Sequence, residues 1–172
     1  QPISTDKLGG SNLHDFDAFT PTVANIRPTS KGEINIVNKD SRVNPKIKMN
    51  YLSSPDDRKV AAAGLKLIRK IVLESEEFKK YEPEEFRPGT NIQDNEELVK
   101  AASNYAQTIF HPVGTCKMGN DDNAVVSDEL KVHGIENLRV IDASVMPNIT
   151  SGNTNAPTIM IAEKGADMIL NN

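Results

Sequence analysis

The chain has 172 residues, 37% of them hydrophobic and 26% charged, with ten glycines, one cysteine and no tryptophan. These proportions sit near the globular norm and exclude a fibre or a disordered tail; length alone suggests one domain with a core that needs no staples. A net charge of −4 argues against a general nucleic-acid or anionic-membrane binder, lone Cys116 excludes an internal disulfide framework or Cys-rich zinc site, and no apolar run approaches the ~20 residues of a membrane span.

Residues 1–13 are polar and glycine-containing and read as a linker or loop; the chain opens on Gln1 without a signal-peptide pattern, as a processed chain or a piece of a longer one would. Strands follow. Thr22, Val23 and Ile26 make one short run, Ile34 and Ile36 alternate in 33–37, and Ile47, Met49 and Tyr51 alternate in 46–52. A period of two predicts strands with one buried face, and the turn residues of 28–32 and 38–45 make an antiparallel meander the simplest arrangement. Ser54 is a good N-cap, Pro55 suits the first helical position and Asp56 and Asp57 suit the positive helix end, so a helix is expected over 55–74. Val60, Gly64, Leu67, Ile68, Ile71 and Val72 share its apolar face. The charged stretch 74–87 reads as a solvated surface with a short helical turn. Asn95 can cap a second helix, with Leu98, Ala102, Tyr105, Ala106 and Ile109 at helical spacing through 109. Residues 110–124 are loop-like, 138–141 a short strand, and 157–170 a helix whose first turn (159–162) is apolar all round, as in a buried helix.

Three histidines are candidates for chemistry. His14 and His133 lie in polar segments where a structural or idle role is the simpler reading. His111 differs, since it follows an amphipathic helix and opens His111-Pro112-Val113-Gly114-Thr115, where proline restrains the histidine backbone and glycine permits close approach. Spacing leaves both a functional and a structural reading open for it. Other site types fail. No histidines stand at metal-ligand spacing, and Cys116 has no neighbour that would lower its pKa. Gly114 and Gly119 have the opening spacing of a phosphate loop, but Asn120 stands where lysine is required. The Asn148 sequon is the kind that chance supplies. The segment 138–170 is the most informative, with a strand ending at Asp142, a loop rich in small residues, and Pro157-Thr158 opening an apolar helix. A helix N-terminus suits an anionic ligand atom; a capped helix packed on a strand, with Asn155 near the cap, fits equally well.

Two blocks then carry a resemblance. LRVIDASVMP followed by SGNTNAPTIMIAEKGADMI resembles the C-terminal signature of the glucose–methanol–choline (GMC) oxidoreductases, and FHPVGTCKMG at 110–119 resembles that family's upstream active-site segment. The connection AVVSDELKVHGIENL fits between them, so the resemblance is strong over 105–172 and general over 14–104. It implies an α+β fold: an antiparallel sheet with flanking helices as a substrate-binding domain (14–109), then 110–172 as active-site loop and a return strand–helix that completes an FAD-binding Rossmann-like domain. It further implies FAD-dependent oxidation of an alcohol to an aldehyde or ketone, with His111 taking the hydroxyl proton while hydride passes to flavin N5. Asn153, where the family has His or Asn, would orient the substrate oxygen and cannot be a base. Asp142 and Ala143 would meet the ribityl and diphosphate region, and Asn155, Pro157 and Thr158 the pyrimidine edge, beside a helix end that favours negative charge.

The family's Gly-rich dinucleotide motif is absent from this sequence, so the resemblance is to the C-terminal part, with an N-terminal FAD-binding portion as partner. The isolated chain is expected to be inactive, and a cytoplasmic location is expected. Two rivals stand beside this reading: a non-catalytic module that pairs with a partner chain, and a lyase on the same scaffold. The substrate alcohol and electron acceptor are not written in the sequence. Choline would require an aromatic or acidic cage, and aromatics are only 5% of the residues.

Overall fold

The computed structural model describes residues 4, 5 and 13–171. In chain order it contains β1 (Glu33–Asn35), β2 (Lys46–Lys48), α1 (Pro55–Glu74), α2 (Glu76–Lys79), α3 (Asn95–Tyr105), a 3-10 turn at Ala143–Val145 and α4 (Asn155–Leu170). This is an α+β architecture with one antiparallel strand pair, as expected in class. The described residues fall into two compact units, one holding residues up to 25 together with 52–107, the other 26–51 together with 108 onward. Most of the 1–13 linker expectation lies outside the described residues; within it Thr5 bridges Leu13.

The first unit is built on α1 and α3. Ser54 caps α1, its side chain accepting the Asp56 N–H, and Pro55 occupies the first turn, so the helix runs over the span its sequence signals mark. The charged stretch contributes one short helix, α2. Asp94, not Asn95, caps α3; its carboxylate accepts the amides of Glu96 and Glu97, leaving Asn95 as the first helical residue. The helix also stops at Tyr105, four residues before the expected end, because Ala106 turns extended (ψ 152°) while its amide closes the last turn on Ala102. Ala62, Leu98 and Val99 form the core, with Leu65 and Ile92 against it. Of the face expected on α1, Gly64 is buried, whereas Val60, Leu67 and Ile71 are exposed among the described residues. The 22–26 run is not a strand. Val23 instead packs on α1, where a Cβ added to Gly64 would lie 2.6 Å from its Cγ1.

The second unit contains the hairpin and the C-terminal segments. β1 and β2 pair antiparallel, with Ile34 opposite Ile47, but each spans only three residues and every one is exposed. The alternation therefore gave the pairing and not a buried face, and the three-strand meander reduces to this hairpin. The unit's core is Val126, Leu130, Val145, Met146 and Ile161. The expected 138–141 strand is reduced to a single bridge, Lys131 with Arg139, flanked by the bonds Val132 N–H to Leu138 O and Val140 N–H to Leu130 O. Two such bonds hold it to one neighbour, and Asp142 begins a new turn at once.

Helix α4 starts at Asn155, two residues before the expected position. Ile161 and Gly165 are buried, but Ile159 and Met160 remain 55% and 59% exposed, so the helix is covered on one face rather than all round. Gly165 makes that face possible: a Cβ there would lie 2.6 Å from Cγ2 and 2.9 Å from Cδ1 of Ile141. Gly165→Ala gains about 1 kcal/mol of helix propensity but incurs an overpacking cost of about 1–3 kcal/mol. A net loss is expected, read as a lower urea midpoint; an unchanged or higher midpoint would show that Ile141 simply moves aside.

Candidate active site

Apart from His14, which lies in the first unit, every residue singled out by the sequence for chemistry lies in the second. The loop that follows His111 is tied to the 3-10 turn by Cys116 N–H to Ser144 O (3.1 Å) and Met118 N–H to Val145 O (2.8 Å). Gly114 has a left-handed backbone (φ +87°) that an L side chain rarely adopts, which is why glycine stands there. Further on, Lys117 Nζ holds both Asp121 carboxylate oxygens (2.8 and 2.7 Å), and this ammonium keeps the Asp121 carboxyl below its usual range.

His111 is half-buried, and its ring is fixed by one residue, Thr154. Nδ1 lies 2.9 Å from Thr154 Oγ1, and the Thr154 N–H approaches the same nitrogen at 3.4 Å. Nε2 has no hydrogen-bond partner among the described residues. Two non-glycine residues with left-handed backbone flank this pair, Phe110 (φ +64°) and Ser151 (φ +60°). Such a conformation costs of order 1–3 kcal/mol in a side-chain-bearing residue and concentrates at functional sites. Ser151 is held by Arg27, whose Nε donates to its Oγ at 2.8 Å, joining the segment before β1 to this loop.

Asn153 is exposed, one residue from Thr154, and its side-chain amide makes no hydrogen bond among the described residues. Asn155 is the first residue of α4, and its amide and that of Ala156 have no intrahelical acceptor. Pro157 follows at the third position, where its missing N–H costs nothing. Thr158 is committed locally: its hydroxyl (2.6 Å) and its amide (3.0 Å) both donate to the Thr154 carbonyl. Asp142 is also committed, its Oδ1 accepting from the Ser144 amide (2.8 Å) and hydroxyl (2.5 Å), while Ala143 packs on the core. The fold thus gathers His111, Thr154, Asn153 and the α4 N-terminus at one place, with Asp142 and Ala143 on the 3-10 turn that anchors the loop. Thr154 was not anticipated. Among the described residues no three His, Cys, Asp or Glu side chains group to hold a metal, and no helix is long and apolar enough to cross a membrane.

Comparison with known proteins identifies the family. Residues 28–162 match the GMC oxidoreductase family model for the C-terminal domain, and the chain belongs to that family. It is 46% identical over 160 residues to the oxygen-dependent choline dehydrogenase of Proteus mirabilis, a match covering 93% of this chain and 29% of that protein. Among solved structures it is similar to pyridoxine 4-oxidase from Mesorbium loti (TM-score 0.79, 33% identity, 86% of this chain and 28% of that one). It is also similar to an FAD-dependent oxidoreductase from Chaetomium thermophilum (TM-score 0.77, 30% identity, 84% and 25%). The chain therefore spans less than a third of the length of the relatives it matches.

Proposed function

We propose that this chain is the C-terminal portion of an FAD-dependent alcohol oxidoreductase, in which it supplies the residues that bind and deprotonate the alcohol. The observation that carries this reading is the His111–Thr154 pair: one ring nitrogen is anchored at 2.9 Å and the other has no partner among the described residues, in a family with FAD-dependent members. His111 Nε2 is the atom that takes the hydroxyl proton. Asn153, with an uncommitted amide beside it, donates to the same oxygen and offsets the charge that develops as the proton leaves.

The residues present fit the flavin cofactor. The two open amides and the positive end of α4 suit an anionic edge, so Asn155, Pro157 and Thr158 would lie along the flavin pyrimidine side. Asp142 accepts only, which suits a ribityl hydroxyl rather than a phosphate, and leaves the diphosphate to the backbone around Ala143. The chemistry supplied by FAD, when bound, would be that of hydride acceptor for the carbinol carbon. The reading also assigns 14–109 to the substrate-binding domain and 110–172 to the active-site loop and return segment of a Rossmann-like domain completed by the N-terminal portion of a longer protein. The exposed apolar side chains of Ile159, Met160, Ile169 and Leu170 on α4 support that completion, since such a stripe calls for cover.

The test is anaerobic mixing of the full-length flavoprotein carrying this segment with a panel of primary and secondary alcohols. Loss of the oxidised flavin band with one carbonyl product per flavin is the expected result. Cleavage of a hydroxynitrile without any change at the flavin would move the protein to the lyase reading, and no response to either substrate class would leave the non-catalytic module.

A further inference from the structure

We infer that Thr154 is a positioning residue for His111: its hydroxyl, released from helix capping, holds the imidazole through Nδ1 and leaves Nε2 to meet the alcohol oxygen. The inference rests on the proposal that His111 takes the alcohol's proton.

A threonine at a helix N-cap normally spends its hydroxyl on the amide of the second or third helical residue. Thr154 does not, for two reasons. Its own backbone is helical (φ −90°, ψ 0°) rather than extended, and no side-chain capping bond forms. The third helical residue is Pro157, which has no N–H to offer. The hydroxyl is nonetheless inside the protein, because Thr154 is buried, and a buried hydroxyl requires a partner. His111 Nδ1 at 2.9 Å is that partner.

A hydroxyl suits this task because it rotates. When Nδ1 carries hydrogen the oxygen accepts, and Nε2 is bare and able to act as a base. When Nε2 has gained the alcohol's proton, Nδ1–H still donates to the same oxygen, now from a cation, which is the stronger bond. Thr154 therefore holds the ring through the reaction. The Thr154 backbone N–H works in the opposite sense, since it favours a bare Nδ1, but at 3.4 Å it lies beyond the usual 2.7–3.2 Å range and is the weaker contact.

The experiment compares Thr154→Val, which keeps the shape and removes the hydroxyl, with Thr154→Ser, which keeps the hydroxyl, in the full-length holoenzyme. Flavin reduction by alcohol is followed across pH. Thr154→Val should slow the limiting rate by roughly tenfold, the worth of one net hydrogen bond, with the substrate dissociation constant within about threefold of wild type. Thr154→Ser should restore the rate. Nitrogen-15 NMR of labelled histidine gives a readout independent of turnover. With the hydroxyl gone the backbone N–H is the one contact left at Nδ1 among the described residues, so Thr154→Val should move His111 toward the Nε2–H tautomer relative to wild type and Thr154→Ser. Unchanged rate and tautomer in Thr154→Val, with His111→Ala still severely impaired, would overturn the positioning role and leave the base role standing. Near-normal reduction by His111→Ala would instead overturn the base role itself. If Thr154→Val loses its flavin, Thr154→Ser decides, since a serine variant with a slowed rate and a changed tautomer would overturn the inference.

Discussion

His111→Ala in the full-length flavoprotein should slow flavin reduction by alcohol by roughly 10²–10⁴-fold, the usual worth of a positioned proton acceptor. The loss should fall on the limiting rate more than on substrate affinity, because the proton moves in the transition state and not on binding. His111→Gln separates proton transfer from hydrogen bonding. Glutamine can reach toward Thr154 and offer an amide to the substrate oxygen, but it takes no proton, so it should stay within about tenfold of the alanine variant. Asn153→Ala removes one donor to the oxygen and should cost less than the loss of the base, on the order of tenfold. Stopped-flow reduction under anaerobic conditions measures all three. A glutamine variant close to wild type would mean that His111 only donates a hydrogen bond, and the proton would need another acceptor.

How much of this was legible beforehand depended on whether the governing chemistry was local. Ser54, Pro55 and the two aspartates that follow specify a helix start within four residues, and α1 begins there. The end of α3 had no such signal. Tyr105 to Ile109 continues the apolar spacing, and no glycine or proline interrupts it before Pro112, yet the chain becomes extended at Ala106. Strand alternation marked 33–37 and 46–52 as antiparallel strands, and β1 and β2 do pair. It said nothing about cover, because burial depends on what packs above the sheet and period-two patterning records only which side chains share a face. The Val23 run had the composition of a strand and packs on Gly64 instead, a contact across more than forty residues.

The same division runs through the site. His111 stood out through its neighbours, proline and glycine, which constrain the backbone locally. Its pairing with Thr154 spans 43 residues, and no local pattern reports a contact of that separation. One signal was nevertheless present. A threonine directly before a helix, with proline as the third helical residue, has lost one of its two capping amides, and its hydroxyl is available to another partner. Reading Pro157 only as a helix opener concealed that consequence. Asp142 shows the converse: a carboxylate at the end of an apparent strand looked free for a ligand, and much of its capacity goes to capping the turn that begins at Ala143.

The largest effect on stability should come from Arg69. Its side chain and that of Glu85 are each only 11% exposed, and they meet in a two-pronged pair, Nε to Oε2 at 2.8 Å and Nη2 to Oε1 at 2.9 Å. The same guanidinium donates to the carbonyls of Ile92 (2.7 Å) and Gly89 (3.0 Å), and Glu85 Oε1 also takes the Gly89 amide. Between α2 and α3 the chain has no regular element, so these five bonds from two side chains are what fix residues 85–92 against α1. Arg69→Met leaves the Glu85 carboxylate with the Gly89 amide as its one remaining donor among the described residues, and takes the guanidinium from the carbonyls of Ile92 and Gly89. In a site with little water this should cost about 3–5 kcal/mol. Arg69→Lys should recover little, since an ammonium cannot span the planar fork that reaches Glu85 and both carbonyls at once. Removing both charges in Arg69→Met/Glu85→Leu should be milder than Arg69→Met alone, because no charge is stranded. Limited chymotrypsin digestion provides a direct measure, as release of the 80–94 segment opens the Phe86–Arg87 bond to cleavage. Arg69→Met should be cut there well before wild type, with the double variant between them. A double variant cut as fast as the single one would mean that the two carbonyl contacts, and not the ion pair, hold the segment in place.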